Sequence, residues 1–86
     1  MAQEIENLRE GLNSLKAIST GISGLSQIYD FAKQIQSFLF TCIESMNNLP
    51  ENRDFSTIKT VLGIIDEVLG LYNGAINKIS LIENNK

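Results

Sequence analysis

Residues 55–82 read FSTIKTVLGIIDEVLGLYNGAINKISLI. Within them Ile58, Val61, Ile65, Val68, Tyr72, Ala75, Ile79 and Ile82 follow one another at alternating steps of three and four. That spacing returns each residue to the same side of an α-helix. Leu62, Leu69 and Ile76 widen the apolar stripe on one flank, and Ile64 and Leu71 widen it on the other. A stripe covering roughly half the circumference calls for two neighbouring elements rather than one zipper partner. Strand-like alternation is absent, so the stretch is expected to be one long helix packed in an all-α domain.

The same periodicity extends toward the N-terminus. Leu25, Ile28, Phe31, Ala32, Ile35, Phe38, Leu39, Cys42, Ile43 and Met46 share one broad face of a helix expected over 25–47. Ile5, Leu8, Leu12 and Leu15 form a narrower seam on a helix expected over 3–18, with Glu4 and Glu6 in its first turn and Lys16 near its end, as the helix dipole favours. Two interruptions separate the helices. Ser19-Thr20-Gly21-Ile22-Ser23-Gly24 reads either as a loop, with a Ser or Thr capping the next helix, or as a bend in one continuous helix. Asn47 through Asp54 holds the single proline, Pro50, and is the clearest loop, with Asp54 or Ser56 as the N-cap that follows. The fold expected over residues 1–86 is a small antiparallel three-helix bundle, or a long helical hairpin with a shorter N-terminal helix. Either has room to dimerise into a larger bundle, since 86 residues support only a small core.

Composition excludes several functions. The chain carries seven Lys and Arg against ten Asp and Glu, net charge −3, with no histidine. Its cations, Arg9, Lys16, Lys33, Arg53, Lys59, Lys78 and Lys86, are scattered. A nucleic-acid or anionic-membrane binder gathers cations on one face, so neither partner is expected. No metal-ligand spacing, phosphate-cradling loop or converging carboxylate pair appears, so no metal, cofactor, small-molecule substrate or enzymatic activity is expected. Cys42 has no internal partner and reads as a small buried hydrophobe, compatible with a reducing compartment. The acidic N-terminus lacks a Sec-type apolar core, and Asp66-Glu67 interrupts the longest apolar run. A cytoplasmic protein without a transmembrane segment is expected, with export by a route that reads a helical signal left open. The preference for Asn, Ile and Lys suits an AT-rich, microbial genome.

Three features stand out as candidate binding elements. Gly63, Gly70 and Gly74 fall on one line of the third helix, opposite its apolar stripe, and read either as a line where another backbone can approach closely, as surface glycines that the helix tolerates, or as an early helix end at the Asn73-Gly74 turn signal. Glu67 lies on the same line, placed to pair with a partner's cation. Ile22, Tyr29 and Phe40 fall near one line at the edge of the second helix's apolar face, either as partner anchors or as the surface the first helix covers. Asp30, Glu44, Asp66 and Glu67 supply acidic surface.

A helical hairpin of this size with a mid-chain loop resembles, in plan, the small exported Trp-x-Gly hairpins, the needle subunits of type III secretion and the bacteriocin immunity proteins. The chain has no tryptophan for the first family's turn. It has Pro50 alone where the second normally carries two prolines. No motif of the third appears. The function expected from these readings is a non-enzymatic helical protein–protein interaction module: a small adaptor, chaperone-like partner or assembly subunit, its apolar faces completed by a partner or by self-association. The alternative is a helical immunity or inhibitor protein that masks a toxin or enzyme through an acidic surface.

Overall fold

The computed structural model describes residues 2–49 and 55–84. It contains three α-helices: α1 (Ala2–Ser19), α2 (Leu25–Asn47) and α3 (Phe55–Asn84). At 1.5 Å per residue these are about 27, 35 and 45 Å long. α1 extends one residue beyond the expected 3–18 at each end, and α3 runs two residues past 82. The helices pack side by side in a bundle 53 Å long and 18 by 16 Å across. Phe38 of α2 lies against Gly11 of α1, and Gln36 of α2 reaches Tyr72 of α3. Consecutive helices are therefore antiparallel, and α1 runs parallel to α3, where Lys16 meets Glu67.

The question left by residues 19–24 resolves as a loop. The reason is visible in where the hydroxyls go. Ser19 Oγ donates to the Lys16 carbonyl at 2.6 Å and Thr20 Oγ1 to the Ala17 carbonyl at 2.8 Å, while the Gly21 amide donates to the Ile18 carbonyl. These bonds satisfy carbonyls that the end of α1 leaves without helical donors. The hydroxyls thus close α1 rather than open α2, correcting the expected Ser or Thr cap. The N-cap of α2 is Gly24, in extended conformation, with no side chain to bond. Gln27 Oε1 accepts from the Ser23 amide at 3.1 Å and takes over part of the capping task.

At the other end of α2, the Asn48 amide donates to the Glu44 carbonyl at 3.0 Å, and Leu49 turns back into the core, 7% exposed. The expected loop through Pro50 and the expected N-cap Asp54 lie outside the described residues. Ser56, the other expected cap, is the second residue of α3; its carbonyl accepts from Thr60 Oγ1 at 2.9 Å.

The core is apolar throughout. Leu8, Leu12 and Leu15 of α1, Ile28, Phe31, Ile35 and Cys42 of α2, and Val61, Ile64, Val68, Ala75 and Ile79 of α3 form one buried cluster. Among the described residues no polar or charged side chain is buried, and no buried side-chain nitrogen or oxygen lacks a partner. Each Leu, Ile, Val and Phe among them contributes roughly 1.5–3 kcal/mol by leaving water. Among the described residues, no helix is long and apolar enough to cross a membrane.

Candidate functional site

The breadth of the α3 stripe decides where a site can lie. α1 packs on the flank of Ile64 and Leu71: its Lys16 pairs with Glu67, and a groove between the two helices runs past Leu12, Lys16, Gly63, Ile64 and Glu67. α2 covers the centre of the stripe. Among the described residues no helix covers the opposite flank, so Leu62 (53% exposed), Leu69 and Ile76 stand in solvent. With only three helices, one shorter than the others, both flanks of α3 cannot be closed.

α2 mirrors this arrangement. Its α1 side carries Phe38 and Gln34; its α3 side carries Leu39, Ile43 and Gln36. Beyond that lie Tyr29, 45% exposed, and Phe40, 70% exposed. Ile43, expected in the core face, is itself exposed, because it sits at the α2–α3 seam on the side away from α1. Tyr29, Phe40 and Ile43 of α2 and Leu62, Leu69 and Ile76 of α3 therefore flank the seam, forming one apolar band on the face opposite α1. Half-buried Leu39, Ile65 and Tyr72 fill its floor. The polar groups at its centre meet each other: Gln36 Nε2 donates to Tyr72 Oη at 3.1 Å. Beside Phe40, a concavity of about 330 Å³ is lined by Gln36, Leu39, Phe40 and Ile43.

The candidate residues fare differently. Tyr29 and Phe40 share the open band, and α1 does not cover them. Ile22 is not on their line: it belongs to the loop before α2, where it is half-buried against the core. Helical projection through a loop put it in the wrong place. A Cβ at Gly63, Gly70 or Gly74 would meet nothing within 4 Å, so no backbone among the described residues approaches that line. Gly63 borders the α1–α3 groove instead. Gly70 and Gly74 border a small cleft with Ile22, Phe31 and Lys78. Glu67 is held within the chain by Lys16 at 2.8 Å, both side chains about half exposed.

The close approach that the glycine line anticipated occurs elsewhere. At Gly11 a Cβ would collide with the Phe38 ring, lying 2.8 Å from its Cζ. A glycine at the middle of a short helix, facing a helix that carries a bulky aromatic, was the only sequence signal for it.

Asp30, Glu44, Asp66 and Glu67 are exposed but not gathered: Glu67 faces α1, Asp30 borders the α1–α2 loop, and Asp66 follows the opposite flank of α3. Among the described residues no three His, Cys, Asp or Glu side chains converge as a metal site would need. Cys42 is fully buried, and burial pushes its thiol pKa up, which makes it a packing group rather than a nucleophile.

No family model matches this chain, and no curated protein or solved structure matches it either.

Proposed function

We propose that this chain is a non-enzymatic helical interaction module that binds another protein surface through the open face of α2 and α3. The observation that carries the reading is the band of large apolar side chains left bare by a three-helix bundle, with Phe40 projecting from its α2 edge, 70% exposed. Exposed apolar side chains scattered singly are ordinary. A contiguous band flanking a helix–helix seam, with an aromatic projecting from it, is the usual composition of a protein-binding surface. The acidic side chains show no comparable concentration, so the masking of a basic toxin draws no support from their placement.

Photo-crosslinking tests the reading. A benzophenone amino acid at position 40 should give discrete protein adducts in cells that make the chain, and the same group at the off-face position Asn77 should not. Equal yields from both positions, or none from position 40, would refute it.

A further inference from the structure

We infer that the occupant of the α2–α3 face is a second copy of this chain, forming a two-fold dimer in which the α2–α3 pairs build a four-helix core with α1 outside. The inference rests on the interaction-face reading above and specifies its partner.

Four observations support it. The first is area. Scaled by their exposures, and taking roughly 150–200 Å² for a large apolar side chain in the open, the six band residues present on the order of 500 Å². Half-buried Leu39, Ile65 and Tyr72 and the rim bring this toward the roughly 800 Å² that each partner of a stable complex contributes.

The second is shape. The band is two helices wide, its edges set by Phe40 on α2 and Leu62 on α3. A single docked helix fills the seam and leaves those edges wet. A second α2–α3 pair covers both. A two-fold axis parallel to the helices lays α2 over the partner's α3, so every neighbour is antiparallel, as in up-and-down four-helix bundles.

The third is self-complementarity. An isologous interface needs a knob and a hole on the same patch. Phe40 at the α2 edge is the knob, and the axis sets it against the α3 edge of the second copy, where Leu62 and Leu69 stand apart by two turns and leave room between them.

The fourth is charge. The band contains no ionisable side chain other than the phenols of Tyr29 and Tyr72. Of the charged residues near it, Lys33 lies in the α1–α2 groove and Lys59 in the α1–α3 groove, while exposed Asp66 borders the Leu62–Leu69 edge and exposed Glu44 follows Phe40 by one turn, both at the rim. The charge therefore stays at the rim, and an acidic chain of net charge −3 can meet its own copy across an uncharged centre. The one polar pair on the face, Gln36 and Tyr72, is already hydrogen-bonded, which lowers the desolvation cost of covering it.

Sedimentation velocity and light scattering across a hundredfold concentration range test the inference on the full chain. The wild type should approach twice the 9.6 kDa mass as concentration rises. Phe40→Asp and Leu69→Lys should each raise the dissociation constant at least about 30-fold, as loss of an interface hot spot does, with helicity by circular dichroism unchanged because both side chains are exposed. Leu81→Asp, an exposed apolar residue off the band, should leave association unchanged. A dimer insensitive to Phe40→Asp and Leu69→Lys overturns the inference, because the copies then meet elsewhere. A monomer at all concentrations also overturns it, and the hydrophobic dye ANS then separates the two readings. Wild-type fluorescence that Phe40→Asp and Leu69→Lys abolish leaves the face as a site for a different protein. No dye binding removes the interaction-face reading as well.

Discussion

The same substitution, glycine to alanine, should have opposite signs at two positions of this bundle. At Gly70 in α3 an added Cβ meets nothing within 4 Å. The change then acts only through the backbone: alanine loses less conformational entropy on entering a helix, and the gain is about 0.5–1 kcal/mol. For a domain of this size that raises the melting temperature by about 3–6 °C. At Gly11 in α1 the same entropic gain applies, but the Cβ falls inside the Phe38 ring, 2.8 Å from Cζ. The ring must swing away from its place between α1 and α2. Overpacking of this kind costs about 1–3 kcal/mol, so Gly11→Ala should destabilise by about 1 kcal/mol net. Urea unfolding of the two variants, monitored by circular dichroism at equal protein concentration, measures both signs. Shortening Phe38 should reverse the second: Gly11→Ala in a Phe38→Leu background should no longer be destabilising, a coupling that a double-mutant cycle reads directly. Gly11→Ala as stabilising as Gly70→Ala would refute the packing argument. A Gly70→Ala chain that associates less than wild type would show instead that an external backbone uses that line.

Further outcomes follow from the core and from the Lys16–Glu67 ion pair. Ile35→Ala, at a fully buried position in the middle of α2, should cost about 2–5 kcal/mol, visible as a lower urea midpoint. Lys16→Gln, which breaks an ion pair whose two side chains are about half exposed, should change stability by less than about 1 kcal/mol and less still in high salt. Cys42 should resist a thiol reagent at a rate limited by unfolding. Because burial raises the folded thiol's pKa, the unfolded chain gives up its proton first as pH rises. Stability should therefore hold below about pH 8 and fall above the unfolded thiol's pKa near 8.5; Cys42→Ala should remove that part of the slope.

The periodic apolar positions carried most of the architecture. Leu8, Leu12 and Leu15, Ile28, Ile35 and Cys42, and Val61, Val68 and Ile79 were readable as core because a three-four spacing admits one geometry. What spacing does not contain is the side on which a neighbour packs. Leu62, Leu69 and Ile76 look equivalent to Ile64 and Leu71 on a helical projection, yet α1 covers the second group and leaves the first bare. That choice depends on the handedness of the bundle, which residues 20–24 help to impose. The same loop took Ile22 off the helical line that joined it to Tyr29 and Phe40. The glycines illustrate the limit from the other direction. Sequence marks where a backbone can approach, and only the packed structure shows that Phe38 does so at Gly11 while Gly63, Gly70 and Gly74 face open space.

The odd number of helices has a consequence for how this chain is joined to anything else. With α1 parallel to α3, residue 2 lies near one pole of a body 53 Å long and residue 84 near the other. A direct head-to-tail splice would have to run back along the full side of the bundle, about 15–16 extended residues at 3.3–3.6 Å each. A polypeptide fused at residue 2 or residue 84 departs instead from a pole, leaving the side where α2 and α3 are bare unobstructed. Fluorescent or affinity labels can therefore be placed at residues 2 and 84 of one molecule, and the separation between them serves as an internal ruler for the straightness of the bundle.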